Sequence, residues 1–195
     1  MDSPWMNCVA DILSQHGLSV YRAELGYMAQ RRVDDKKRPP PRAERLLGEL
    51  TQLVEALPEP HLPLILAGKS MGGRLASLLA AEPDGPEILA AWALGYPFHP
   101  PGKPERLRTG HFPDLRCPLH ILQGTRDPMG GQDLVDSQLS KAEFPNDRVT
   151  LRWVEDGNHD LRPRGLNKAE VMPRLSSEVA SAADIWLRKS GYSLQ

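Results

Sequence analysis

Cysteine is nearly missing from this chain of 195 residues. Cys8 and Cys117 are too few and too far apart for a disulfide framework or a thiolate zinc site, and both read as reduced packing residues. Net charge is scarce as well. Lys and Arg number 24 against 25 Asp and Glu, and a balance of -1 gives no global pull toward nucleic acid or an anionic membrane. No apolar run approaches the length that spans a bilayer, and Met1-Asp2-Ser3-Pro4-Trp5 has neither the basic region nor the apolar segment of a signal peptide. A cytoplasmic protein is expected. No His, Asp and Glu fall at metal-ligand spacing, so no metal is expected. No repeat and no second domain are visible, and one domain over 1–195 is the expectation.

What is present alternates between helix and strand. Ser3 or Asp2 caps a helix with Pro4 in its first turn, and Trp5, Val9, Ile12 and Leu13 recur at helical spacing until Gly17. Leu18 to Leu25 alternates, which predicts a strand over Val20-Tyr21-Arg22-Ala23-Glu24. Gln30 to Arg42, basic and stiffened by Pro39-Pro40-Pro41, reads as a loop. It is either a solvated linker or a rim that attracts an anionic substrate. Arg42 to Leu57 is helical, with Pro58 ending it. Strands are predicted at Ile88 to Leu94, Pro118 to Gln123 and Val149 to Val154, with helices over Asp133 to Lys141 and Ser176 to Arg188. This order predicts an α/β fold whose mostly parallel sheet is covered by helices on both faces.

The chain centres on Leu64-Ile65-Leu66-Ala67-Gly68-Lys69-Ser70-Met71-Gly72-Gly73. An apolar run stops at a small residue, a serine sits between Gly68 and Gly72, and a helix follows to about Glu82. That is the strand-turn-helix of a G-x-S-x-G nucleophile elbow. Glycine is expected on both sides because a side chain at Gly68 or Gly72 would collide where helix and strand pass closely. Gly68-Lys69-Ser70 also ends a Walker A pattern, but the glycine required five positions earlier is Pro63. A packing role for Ser70 in a tight turn is the bland alternative.

In open α/β sheets ligands bind beyond the carboxyl ends of the strands. Asp127 follows the strand ending at Gln123, and His159 follows the strand ending at Val154, so Ser70, Asp127 and His159 lie at three such ends in the chain order of a hydrolase triad. Serine is a weak nucleophile until a base takes its proton, and imidazole titrates near neutral pH. His159 is the expected base. Asp127 is expected to orient it and Met71 to supply an oxyanion-hole N–H. Asp156 and Asp160 flank His159 on its own loop and read as loop-shaping residues. The proline-rich loop from Gly95 to Leu115 would roof the site. Lys69, His99, Lys103 and His111 are candidate substrate contacts, although structural roles suit both histidines better, because nothing in their spacing ties them to the serine.

The stretches Ala67 to Arg74, Leu94-Gly95-Tyr96-Pro97-Phe98-His99-Pro100-Pro101-Gly102-Lys103-Pro104, Gln123 to Asp127 and Glu155 to Asp160 together resemble a family of small α/β-hydrolases related to dienelactone hydrolases. A hydrolase-like domain in a subunit of a eukaryotic histone-acetylating complex is similar too. The resemblance implies the α/β-hydrolase fold and a Ser-Asp-His triad at Ser70, Asp127 and His159, but no particular substrate; the triad chemistry itself predicts a serine hydrolase acting on small esters or related acyl compounds through an acyl-enzyme, without a cofactor. Relatives begin earlier, with an apolar strand and a His-Gly loop. Met1 is therefore expected to be an internal methionine, and the sheet to carry a gap beside the elbow strand. The competing expectation is a catalytically weak or inactive interaction protein on the same fold, or a truncated gene product.

Overall fold

The computed structural model describes residues 2–36, 41–139 and 148–190. Four strands, β1 (Ile65–Lys69), β2 (Ala90–Leu94), β3 (Leu119–Gly124) and β4 (Val149–Val154), pair in sequence order as an all-parallel sheet. Each crossover advances one place in the same direction, and right-handed connections therefore put the intervening segments on one face. That face carries α3 (Ala43–Glu55), α4 (Met71–Ala81), a 3-10 turn (Phe112–Asp114) and α5 (Gln132–Leu139). Its core joins Leu79, Ala91, Ala93, Phe112, Ile121 and Val135. The other face is left to the first and last helices, α1 (Pro4–Gln15) and α6 (Lys168–Lys189), whose core joins Ile12, Leu13, Trp92, Leu122, Val179 and Trp186.

β2 is buried at every position, Ala90, Trp92 and Leu94 toward one core and Ala91 and Ala93 toward the other, as a strand covered on both faces requires. β1 lies at the edge, and Ala67 on it is exposed. Ser3 caps α1 by accepting from the Met6 amide, and Gly17 at φ 76° closes it with Leu18 N–H returned to Leu13 O. α6 starts eight residues before the predicted Ser176 because Asn167 and Glu170 form a reciprocal capping box. Pro173 sits inside it, close enough to the start that the well-capped first turns carry the lost ladder bond.

Two expectations fail in the segment after α1. Residues 18–25 form no strand. A strand exists through its ladder, and among the described residues none lies beside this one. Its side chains bond outward instead, Tyr21 to Glu59 at 2.7 Å and Arg22 to Asn7 at 2.5 Å. The predicted loop from Gln30 begins inside a helix, α2 (Gly26–Asp34), which buries no residue. It is tied to α3 by the Gly26 amide on the Glu49 carboxylate, with Arg31 and Arg32 in the last turn favouring the helix dipole. Pro39, Pro40 and Lys141 lie outside the described residues.

Candidate functional site

β1 ends at Lys69 and α4 begins at Met71, so Ser70 alone makes the turn. It does so at φ 52° and ψ -115°, a conformation that costs a non-glycine residue on the order of 1 to 3 kcal/mol. Its amide donates to Leu94 O at 3.1 Å, which ties the turn to the end of β2. A Cβ at Gly68 would lie 2.2 Å from the Gly72 carbonyl carbon, and one at Gly73 would lie 2.7 Å from Ala93 Cβ. A Cβ at Gly72 meets nothing within 4 Å. The expected collision is therefore correct for Gly68 and wrong for Gly72: the second close approach is made by Gly73, where α4 crosses β2.

Ser70 Oγ is 2.8 Å from His159 Nε2, and His159 Nδ1 is 2.7 Å from Asp127 Oδ2. The Asp127 side chain is fully buried, while that of His159 is 20% exposed. A carboxylate taken out of water must be hydrogen-bonded on its other lone pairs. Here Oδ1 accepts from the Met129 amide at 2.8 Å and Oδ2 from Gln123 Nε2 at 2.9 Å. Gln123 is itself wholly buried. Its Oε1 accepts from the Tyr96 amide at 2.6 Å and its Nε2 also reaches Tyr96 O and Gly130 O, each at 3.1 Å. One amide side chain thus locks the start of the 95–115 loop to the aspartate. Sequence reading missed it, since a glutamine at the end of a strand looks like an ordinary polar residue.

The loops are held together as closely as the side chains. A Cβ on Gly95 would sit 2.7 Å from His159 O, and one on Gly124 would sit 2.4 Å from Gly157 O. Both glycines let backbone from the ends of β2 and β3 approach the histidine loop. Met71 is the first residue of α4, and its amide is among those a helix leaves without an intrahelical acceptor.

The four candidate substrate contacts scatter. Lys69 Nζ is 2.5 Å from Asp160 Oδ1 and 5.5 Å from the centre of the Trp5 ring, so its charge is already matched. His99 is buried and its Nδ1 donates to Pro100 O at 2.8 Å. Lys103 stands exposed on the loop. His111 lies on α4, not beside Ser70: its Nε2 is 2.9 Å from Ser77 Oγ, and burial, helped by the charge of Arg74, pushes its pKa down to about 4. Beside Lys69 and Asp160 opens a cavity of about 360 Å³ walled by Trp5, Met6, Leu161, Val171 and Leu175. Among the described residues no group of His, Cys, Asp and Glu could hold a metal ion, and no helix is long and apolar enough to cross a membrane.

A family model described as an alpha/beta hydrolase domain matches residues 1–186. Among solved structures, a member of the α/β serine hydrolases without lid from Xanthomonas campestris is 18% identical, with 95% of this chain and 75% of that one covered at a TM-score of 0.63. An alpha-beta serine hydrolase homologue from Coxiella burnetii is 14% identical over 93% of this chain and 76% of that one, TM-score 0.62. The esterase domain of a Rhodothermus marinus protein is 16% identical over 95% and 80%, TM-score 0.60. At these identities the likeness carries the fold.

Proposed function

The chain belongs to the alpha/beta hydrolase domain family, and on that premise we propose that it is a serine esterase for small acyl substrates. The observation that carries the reading is the continuous line from Ser70 Oγ through His159 to the buried Asp127, with contacts of 2.8 and 2.7 Å. His159 Nε2 takes the hydroxyl proton as Oγ attacks the ester carbonyl, and Asp127 stabilises the imidazolium that forms. The carbonyl oxygen turns toward the Met71 N–H. The proton then passes to the leaving alcohol, giving an acyl-enzyme. Water, deprotonated by His159, attacks the acyl carbonyl, and the carboxylic acid leaves as the proton returns to Ser70. The cavity at Trp5 abuts the chain neighbours of Ser70 and His159 and suits a short apolar acyl group.

The kinship with dienelactone hydrolases, and with the hydrolase-like domain of the histone-acetylating complex subunit, belongs to the same proposal and is supported by the shared motifs. Labelling with a fluorophosphonate tests the reading. The wild type is expected to take the label and Ser70→Ala to lose it. A folded wild type that stays unlabelled, or a Ser70→Ala variant that still labels, refutes the proposal.

A further inference from the structure

The cavity beside Lys69 is built on a strained leucine. Four non-glycine residues among those described hold a positive φ, and Leu161, at 61°, is the one that is apolar and bulky. Glycine adopts that backbone freely, whereas a leucine stays there only when its surroundings hold it. The side chain is 1% exposed, lines the cavity and joins the core that includes Ile12 and Leu175. The backbone is fixed by Leu161 N–H on Asn158 O at 2.8 Å and by Asn158 Oδ1, which accepts from the amides on either side, Asp160 at 2.9 Å and Arg162 at 3.1 Å. Leu161 thus follows His159 by two residues on a closed turn.

The remaining walls come from the two helices on this face of the sheet. Trp5 and Met6 belong to the first turn of α1, Val171 and Leu175 to the first two turns of α6. The indole N–H of Trp5 donates to Asp160 O at 3.2 Å, which ties the α1 wall to the same histidine loop. The charged lining is already engaged, Lys69 Nζ with Asp160 Oδ1 at 2.5 Å and the Arg162 guanidinium with Leu166 O at 3.2 Å. What is left is an apolar slot. Lys69 and Asp160 are the chain neighbours of Ser70 and His159, and adjacent Cα atoms are about 3.8 Å apart, so the slot begins within one residue of the reacting pair.

We propose that this slot is an acyl-chain subsite with Leu161 as its specificity-determining residue, and that it selects straight-chain acyl groups of about four to eight carbons. A cavity of about 360 Å³ takes such a chain with room around it, each methylene filling about the 30 Å³ of a water molecule. A charged acyl group would give up its hydration there for no free partner, because Lys69 and Asp160 neutralise each other. The inference rests on Ser70 as the nucleophile, the chain running from the carbonyl carbon that Ser70 Oγ attacks.

p-Nitrophenyl esters from acetyl to dodecanoyl test it. For the wild type kcat/KM is expected to rise about tenfold or more from acetyl to hexanoyl, burial offering about three- to fourfold per methylene, and to fall again by dodecanoyl. Leu161→Ala is expected to move the maximum toward longer chains. Val171→Trp, which fills the slot from the half-buried start of α6 and leaves the core closed, is expected to cut the hexanoyl-to-acetyl ratio at least about fivefold. Should Leu161→Ala not fold, Val171→Trp carries the test alone. A flat or falling profile from acetyl to hexanoyl overturns the proposal, as does a profile that neither variant shifts. So does a matching rise along alkyl acetates from ethyl to octyl, which would put the chain on the alcohol side. Ligand-observed NMR with uncleaved hexanamide and acetamide reads the slot without turnover. Stronger binding of hexanamide, weakened by Val171→Trp, in a chain that takes no fluorophosphonate would sink the nucleophile and keep the slot. Equal binding of the two amides in a chain that does take the label would sink the slot and keep the nucleophile.

Discussion

Two serine-histidine pairs flank the same helix at nearly the same length, Ser70 with His159 at 2.8 Å and Ser77 with His111 at 2.9 Å. Their surroundings differ in every other respect. Ser70 stands outside the helix in a strained turn, and behind its histidine lies a buried carboxylate. Ser77 sits within α4, its hydroxyl committed to Arg74 O, and its histidine meets an arginine. A neighbouring carboxylate favours the charged imidazolium, whereas burial beside a guanidinium disfavours it. A hydroxyl-imidazole contact alone therefore does not make a nucleophile. Whether the second nitrogen of the ring can share a proton's charge with a carboxylate is what separates the two.

Breaking the first pair at its carboxylate is the most severe test of that comparison. Asp127→Asn presents an amide to His159 Nδ1 and no longer selects the tautomer that leaves Nε2 free to accept. Turnover of p-nitrophenyl acetate should fall about 10⁴-fold while the fold is kept. A loss of less than tenfold would mean that Asp127 serves packing alone. Next in size is the support of that aspartate. Gln123→Met preserves volume but leaves the Tyr96 amide, Tyr96 O and Gly130 O without their buried partner. The stability in urea should drop by about 3 to 5 kcal/mol, several unmet buried groups each contributing about 1 to 3. A drop below about 1 kcal/mol would show that water replaces the amide.

Much of this arrangement is legible in the sequence because it depends on residues with few alternatives. Gly68 before Ser70, and an aspartate and a histidine after two apolar runs, mark strand ends wherever the sheet is placed. What escapes is set by three-dimensional packing. Gly72 and Gly73 are indistinguishable in a motif, and only the crossing of α4 over β2 shows that Gly73 is the one with no room for a side chain. Gln123 carries no local sign that it bridges a loop and an aspartate. The alternation from Leu18 to Leu25 is a true strand pattern, yet a ladder needs a neighbour and none of the described residues supplies it. α2 has no apolar face to betray it, and Pro173 hides the start of α6 that Asn167 and Glu170 cap.

The smallest expected effect lies in the second pair and is read as a pH dependence of stability. His111 titrates at about 4 in the folded protein against an ordinary 6.5, so between those values the unfolded chain holds a proton there that the folded chain does not. Stability then rises with pH across that window, is complete above 6.5 and is lost as pH falls toward 4. His111 is only partly enclosed, and solvent screening brings the loss to about 2 kcal/mol. His120 is pushed to about 4 as well, by burial and by Lys189, and contributes with the same sign from the other face of the sheet. Urea denaturation at pH 7 and pH 4.5 separates the two histidines when the wild type is compared with His111→Gln. The variant should lose less stability on acidification, because its remaining slope comes from His120 and the carboxylates. An equal loss in both proteins would mean that His111 is already solvated, and the contrast between the two serine-histidine pairs would then rest on Asp127 alone.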